Sequence, residues 1–213
     1  MFFMKHLLLC AVLVGANAQA QDVGVVDRVS GEVTFRAAGA KAGKVKPYMK
    51  VRRGDRFQVP AGAQVRVLYF DGARQERWSG PASFHAEKSR GKPVSGSPAE
   101  VVALPAGVPQ RIARVPELVQ NAQLGGVQLR SGGRGEAGPE AQRPEGEGAL
   151  REARATYEGL RAKAAKDDIT PELYLYSVLS ELGLREEMRK LAQDMQRRQP
   201  DNEEAKWLAK DVR

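Results

Sequence analysis

The sequence predicts a mainly β N-terminal domain, a sandwich or roll of short antiparallel strands, followed by a small C-terminal α-helical hairpin or bundle. Two observations support this prediction. Residues 21–115 contain many short runs of alternating apolar and polar residues, separated by turns with glycine or proline. Residues 149–213 instead repeat their apolar side chains at the three- and four-residue spacing of helices.

The first twenty residues have the three parts of a secretory signal. Lys5 provides the positive end, residues 7–14 form an apolar run, and Ala18 and Ala20 are the small residues before a cleavage site. This run is shorter than the ~20 apolar residues that span a bilayer. We therefore expect cleavage, a periplasmic location and no membrane anchor afterwards. Cys10 is the only cysteine and lies in the signal, so we expect no disulfide.

The β domain, residues 21–115, is organised around one hairpin. Val65, Val67 and Tyr69 alternate with more varied residues, and we expect them to form the core together with Phe57. Asp71 followed by Gly72 predicts a hairpin turn, because glycine tolerates the positive φ that a type I′ turn needs. The predicted strands cover residues 23–26, 31–36, 49–51, 56–59, 64–70, 74–79 and 82–86.

The next part of the chain is expected to lack helices. Several prolines and scattered apolar residues in 98–115 predict an extended segment that supplies an edge strand as far as Ile112. Residues 116–148 are predicted to be an extended segment and a linker. Glycine is abundant in 125–148, so this stretch cannot bury enough surface to offset its ordering entropy.

Residues 23–87 carry a series of motifs at defined positions. Gly31-Glu32-Val33 is followed by Gly54-Asp55, by the hairpin 62–72 (Gly-Ala-x-Val-x-Val-x-Tyr-Phe-Asp-Gly) and by Gly80-Pro81-Ala82-x-Phe84. This series resembles the FecR-type periplasmic domain. The resemblance implies an envelope-located β domain used in protein–protein signalling or as a module beside other envelope parts. It implies no catalytic residue, because the matching positions are structural.

The helical segment has clear start and stop signals. Thr170 and Pro171 predict an N-cap and a first helical position, and Gly183 predicts a C-terminal cap. Pro200 ends the next helix, and Asp201 or Asn202 starts the last one.

The spacing within this segment resembles one degenerate tetratricopeptide repeat. Leu175, Gly183 and Pro200 occupy the expected positions, but Glu172 stands where an aromatic residue is expected. A lone repeat cannot bury its own apolar face. A plain antiparallel bundle explains the pattern equally well.

Three aromatic residues of this segment are candidate partner contacts. Tyr174 and Tyr176 are two positions apart on one helix, so we expect that only one of them faces the core. The exposed tyrosine and Trp207 would then be available to a partner protein.

Charge is unevenly distributed along the chain. Residues 21–115 contain 17 Lys and Arg against 8 Asp and Glu, whereas residues 116–213 contain 16 against 18. Export argues against intracellular nucleic acid as the partner, which leaves anionic envelope polymers or acidic proteins. The candidate polyanion contacts are Lys41, Lys44, Lys46, Lys50, Arg52 and Arg53. A solvated loop and edge explains them as well, and is the interpretation we favour.

No motif in the sequence predicts catalysis or a bound cofactor or metal. His85 lies on a strand, opposite in direction to Phe84, and a lone histidine there is rarely a base or ligand. Among the aspartates, Asp55 and Asp71 are explained by neighbouring turn glycines, and Asp27 has no such neighbour.

We therefore expect a non-enzymatic exported envelope protein that acts as an interaction or accessory module of an envelope assembly, with an envelope or periplasmic protein as its partner. The alternatives are a polyanion-binding module and a periplasmic sensor or regulator of signalling.

Overall fold

The structure is a computed structural model that describes residues 21–124 and 144–211. The signal sequence, its cleavage site and the linker between 125 and 143 lie outside the described residues. The strands are β1 (Asp22–Ser30), β2 (Thr34–Arg36), β3 (Gly43–Lys44), β4 (Lys50–Arg52), β5 (Arg56–Val59), β6 (Gln64–Tyr69), β7 (Arg74–Ser79), β8 (Ala82–Ala86), β9 (Gly91–Ser95) and β10 (Glu100–Ala103). The helices are α1 (Val108–Ile112), α2 (Val115–Gln123), α3 (Pro144–Arg161), α4 (Thr170–Glu181), α5 (Arg185–Arg198) and α6 (Glu203–Asp211).

The strands form two antiparallel five-stranded sheets that pack face to face, which confirms the predicted mainly β N-terminal fold. The first sheet has the order β10-β7-β6-β1-β4, and the second has the order β3-β2-β5-β8-β9. The predicted core residues Phe57, Val65, Val67 and Tyr69 all lie in the cluster between the sheets. Trp78 on β7 stacks on an aromatic ring of β8 at 4.2 Å between ring centroids, which joins the two sheets.

The helices cover the other face of the first sheet. Val25 and Leu68 point away from the sandwich core and pack with helical residues such as Leu173 in a second apolar cluster. Because this sheet has a core on both faces, β6 is buried along nearly its whole length. The helical segment therefore buries its apolar face against the chain's own sheet, as well as against neighbouring helices.

The extended conformation predicted between 98 and 124 is wrong except for β10. Residues 108–112 and 115–123 of this range form α1 and α2 instead. Pro109 and Pro116 lie within the first two positions of these helices, where a missing N–H costs nothing. Ile112, Val115 and Val119 recur at helical spacing and are buried in the second apolar cluster. The prolines therefore start helices here instead of preventing them.

The predicted hairpin between β6 and β7 is confirmed, but Gly72 does not have the positive φ that was expected of it. Four residues connect the strands, and the positive φ of 42° falls on Ala73. Gly72 is required for a different reason, because an added Cβ would collide with the carbonyl oxygen of Ser89. Strand β9, which begins two residues after Ser89, was not predicted from the sequence.

Of the two predicted ends of α4, the C-terminal end is confirmed and the N-terminal cap is wrong. Gly183 has a φ of 70°, the Leu184 N–H donates to the Leu179 carbonyl at 3.0 Å, and the Gly183 N–H donates to the Ser180 carbonyl at 3.2 Å. These bonds form a Schellman motif, so the predicted C-terminal cap is confirmed. The predicted Thr170 N-cap is wrong, since α4 begins at this residue and its hydroxyl bonds to the sheet.

The start of α6 is confirmed at Asn202. Its Oδ1 accepts the Ala205 N–H at 3.2 Å, which is the bond of an N-cap to the third helical residue. The same amide also reaches the sandwich, because Nδ2 donates to the Tyr48 hydroxyl at 3.2 Å.

Candidate interaction site

Strand β10 forms one edge of the first sheet and is unusually apolar for that position. It pairs with β7 on one side only. Val101 and Val102 are 51% and 54% exposed, among the few large apolar side chains that the described residues leave in solvent. Exposed edge strands are usually protected by charge, proline or a covering loop.

The hydrogen-bonding pattern of β10 determines which of its backbone groups face outward. The Leu104 N–H donates to the Ala73 carbonyl at 2.8 Å across the ladder. Bonding residues alternate in an antiparallel pair, so the N–H and C=O groups of Val101 and Ala103 point away from β7. Among the described residues, none hydrogen-bonds to these outward groups. The edge therefore presents two donors and two acceptors beside the exposed valines.

A groove of about 440 Å³ lies beside this edge, between the face of β7 and β10 and the C-terminal half of α3. Val102 and Leu104 line one wall, and Leu160 of α3 lines the other. Gly159 also lines the groove, and an added Cβ there would have no atom within 4 Å. The volume lies within the range of ~300–1,000 Å³ that is common for ligand pockets.

The cationic side chains of the groove differ in how they are neutralised. Arg77 forms an ion pair with Glu100 on β10. The Arg66 Nε lies 2.7 Å from Asp27 Oδ2. Lys163 is exposed at the mouth, and no carboxylate among the described residues forms an ion pair with it.

The floor of the groove is a buried polar network that joins the sheet to α4. Gln75 Nε2 donates to Asp27 Oδ2 and to Thr170 Oγ1, both at 2.7 Å. The Thr170 N–H donates to Asp168 Oδ1 at 2.9 Å. Asp27 is fully buried, and this burial raises its pKa although the neighbouring Arg66 favours the ionised form. These groups bond to one another, so they hold the helices on the sheet.

A second buried charge cluster lies among the helices. Glu172 is fully buried, with Arg161 Nη1 at 3.0 Å and Arg198 Nε at 3.1 Å from its carboxylate oxygens. The Tyr157 hydroxyl donates to the same carboxylate at 3.3 Å. The residue that departs from the tetratricopeptide pattern is therefore the centre of an ion-pair cluster joining α3, α4 and α5.

Half of the candidate polyanion contacts already have carboxylate partners. Lys44 pairs with Glu32 at 2.7 Å, and both Lys50 and Arg52 pair with Asp22, at 3.3 Å and 3.5 Å. Among the described residues, no ion pair involves the remaining three, which are exposed: Lys41, Lys46 and Arg53. The predicted basic surface is thus smaller than its sequence suggests.

The expectation that Tyr174 or Tyr176 is exposed is wrong. Their side chains are buried at 9% and 1% exposure, because α4 is covered by neighbouring helices and by the sheet. A central helix has no solvent face, so the amphipathic argument does not apply to it. Trp207 is 37% exposed, and the Lys210 Nζ lies 4.9 Å from its ring centroid. Trp207 is the only one of the three aromatic candidates that a partner could reach.

The residues considered for catalysis are not brought together. His85 is partly exposed between Arg56 and Lys92 of the adjacent strands. Asp55 accepts the Arg52 N–H at 2.9 Å, as expected for a turn aspartate. Within residues 21–124 and 144–211, no group of three or more histidine, cysteine or acidic side chains could hold a metal ion.

No helix in the described part of the chain is both long and apolar enough to cross a bilayer. Comparisons of the chain with protein-family models, with curated proteins and with solved structures find no match. The FecR-type resemblance of residues 23–87 therefore stays a prediction that rests on its motifs.

Proposed function

We propose that this protein is a non-enzymatic, exported component of a cell-envelope assembly that binds a partner protein by adding one of its strands to β10. The observation that supports this proposal most directly is the apolar edge, with outward backbone groups at Val101 and Ala103. Strand addition uses main-chain hydrogen bonds for affinity and alternate side chains for specificity. An extended partner segment would satisfy both donors and both acceptors.

The surroundings of β10 favour a firm docking edge. Strand β10 is held by its ladder to β7, and the residues on either side of it, Ala99 and Leu104, pack against the two apolar clusters. Glu100, which would repel an incoming carboxylate, is paired with Arg77. The two valines that follow carry no charge to protect the edge.

The envelope location in this proposal comes from the sequence. It rests on the signal-like residues 1–20 and on the FecR-type motifs of residues 23–87. A polyanion-binding role receives less support, because Lys44, Lys50 and Arg52 are neutralised within the protein.

Site-specific photo-crosslinking in the producing cells tests the proposal. A photoreactive residue at position 102 is compared with one at position 94, since Val94 is equally exposed but lies on β9, an edge of the other sheet. We expect a discrete crosslinked partner protein from position 102 alone. The substitution Val101→Pro should abolish the crosslink and leave the fold intact, because the N–H that it removes points outward.

Hydrogen exchange on the purified complex then distinguishes strand addition from simple apolar contact. The Val101 and Ala103 amides should become protected when the partner is bound. Binding without that protection would overturn strand addition. A crosslink from position 102 to a second copy of the same chain would assign the edge to self-association and would overturn the partner proposal.

A further inference from the structure

The groove beside β10 lies where it could receive side chains from a strand added to this edge. An added strand would run along β10, and every second side chain would point toward the helical side of the sheet. On β10 itself, Glu100 and Val102 face that side, because they are opposite Arg77 and Gln75. Both residues line the groove.

Recognition in the groove must come from its walls and mouth, because the polar groups of its floor already hydrogen-bond to one another. The buried side chains of Gln75, Thr170 and Asp168 bond to one another and to Asp27. The walls are apolar and include Leu104, Leu160 and Pro171. An apolar side chain would therefore displace water from apolar surface without breaking these hydrogen bonds.

One face of α3 borders the groove, with Thr156, Gly159 and Leu160 at helical spacing, and Lys163 lies in the turn that follows the helix. Glycine inside a helix is unfavourable by ~0.5–1 kcal/mol relative to alanine. Nothing lies within 4 Å of a Cβ added at Gly159, so the backbone packing does not require this glycine. Its effect is to leave space at the rim of the groove.

Lys163 supplies the charge preference. Every other cation of the groove has a carboxylate partner, whereas Lys163 has none among the described residues. A carboxylate on the incoming segment would complete the pairing. Because residues two apart on a strand are ~6.6–6.8 Å apart on one face, one segment could place an apolar side chain in the groove and an acidic side chain at its mouth.

We propose that the groove selects an extended partner segment with an apolar residue and an aspartate or glutamate two positions away. This inference rests on the proposed function, since β10 must receive the segment for its side chains to reach the groove. The partner class is therefore an acidic, apolar strand, and a basic strand would be rejected at Lys163.

Panning a random nine-residue peptide library, displayed on phage, against the purified full-length protein tests the selection. We expect enriched peptides with the alternating apolar and acidic pattern. The affinity of a synthetic consensus peptide is then measured by fluorescence anisotropy. Gly159→Phe, which narrows the groove, and Lys163→Glu, which reverses the charge at its mouth, should each weaken binding by about tenfold or more.

Matched variants outside the groove control for helix and charge effects. Gly148→Phe makes the same change on α3 where the groove does not reach, and Lys166→Glu reverses a charge three residues from Lys163. Both should bind the peptide within about twofold of the unmodified protein. Circular dichroism of all variants identifies any that fail to fold.

The outcomes separate the two proposals. If Val101→Pro abolishes peptide binding but neither Gly159→Phe nor Lys163→Glu weakens it, strand addition stands and the groove inference fails. If the groove variants abolish binding and Val101→Pro does not, strand addition fails and the groove inference fails with it. An unenriched library, or a consensus with basic residues, also overturns the inference.

Discussion

The Arg66 guanidinium donates to the Asp27 carboxylate at 2.7 Å, beneath the helices and away from solvent. These residues lie on the neighbouring strands β6 and β1. Gln75 and Thr170 bond to the same carboxylate oxygen, so α4 is joined to the sheet through one acidic side chain. The position of α4, and with it one wall of the groove, depends on this pair.

Removing the charge of Asp27 tests that dependence. Asp27→Asn keeps the side-chain shape and leaves the buried Arg66 with Asp168 as its remaining ion-pair partner. We expect the free energy of unfolding in urea to fall by about 1–3 kcal/mol, because the asparagine Nδ2 cannot accept the hydrogen bond that the Arg66 guanidinium donates to Asp27 Oδ1. The control Asp71→Asn disrupts an exposed pair with Lys88 and should cost less than about 1 kcal/mol. Equal stability of Asp27→Asn and the unmodified protein would show that the charge of Asp27 is not needed.

The stability of the protein should also depend on the charge of Glu172. Glu172→Gln leaves Arg161 and Arg198 without the carboxylate that they share, and we expect a loss of about 3–5 kcal/mol in unfolding free energy. Glu187→Gln removes a largely exposed pair with Arg154 on the same group of helices, and should cost less than about 1 kcal/mol. If Glu172→Gln and Glu187→Gln lowered the unfolding free energy by similar amounts, burial would not explain the contribution of Glu172.

The burial of Glu76 predicts how the stability of the folded protein changes with pH. It is buried on the inner face of β7, and burial raises its pKa above the ordinary value of 4.5, although the Gly91 N–H donates to it. The folded state therefore holds a proton that the unfolded chain has released, and this contribution to stability is lost as the pH rises above 4.5.

The variant Glu76→Gln has no such proton to lose. Measured by urea unfolding from about pH 5 to about pH 7.5, its stability relative to the unmodified protein should increase with pH. The control Glu87→Gln changes a more exposed residue and should show little change in relative stability over this range. A pH-independent difference for Glu76→Gln would refute the assignment.

Replacing Gly91 or Gly159 with alanine should change the unfolding free energy in opposite directions. A Cβ at Gly91 would lie 2.6 Å from Trp78 Cζ2 and 3.0 Å from Phe84 Cδ2 in the rigid sandwich core. We expect Gly91→Ala to lower the unfolding free energy by about 1–3 kcal/mol. Gly159→Ala meets no atom and should raise it by about 0.5–1 kcal/mol. Thermal or urea unfolding measures both, and a neutral Gly91→Ala would show that the core yields there.

The sandwich could be predicted because its signals are local. The bounds of β5, β7 and β8 follow from alternation and from turn residues, and both are properties of adjacent residues. The helices α1 and α2 were not predicted, because the prolines of residues 98–115, Pro109 among them, were interpreted as signs of extended chain. Whether a proline starts a helix depends on the apolar residues that follow it, and here those residues find a second core.

The candidate site was harder to predict. Val101 and Val102 look like an ordinary edge strand in the sequence, and only the arrangement of the sheets shows that nothing in the described part of the chain covers them. Asp27 has no turn glycine beside it, and that was the one available sign of its different role. The exposed surface that was predicted at Tyr174 and Tyr176 is instead interior.

Periodicity and backbone conformation over a few residues are enough to specify most strands of the sandwich, the inner core around Val67 and Tyr69, and the glycine cap at Gly183. They do not specify that the helices cover the first sheet or that β10 and its groove remain accessible. Those outcomes depend on contacts such as that between Asp27 and Thr170, which are 143 positions apart. No local pattern records which distant surface a buried face will meet.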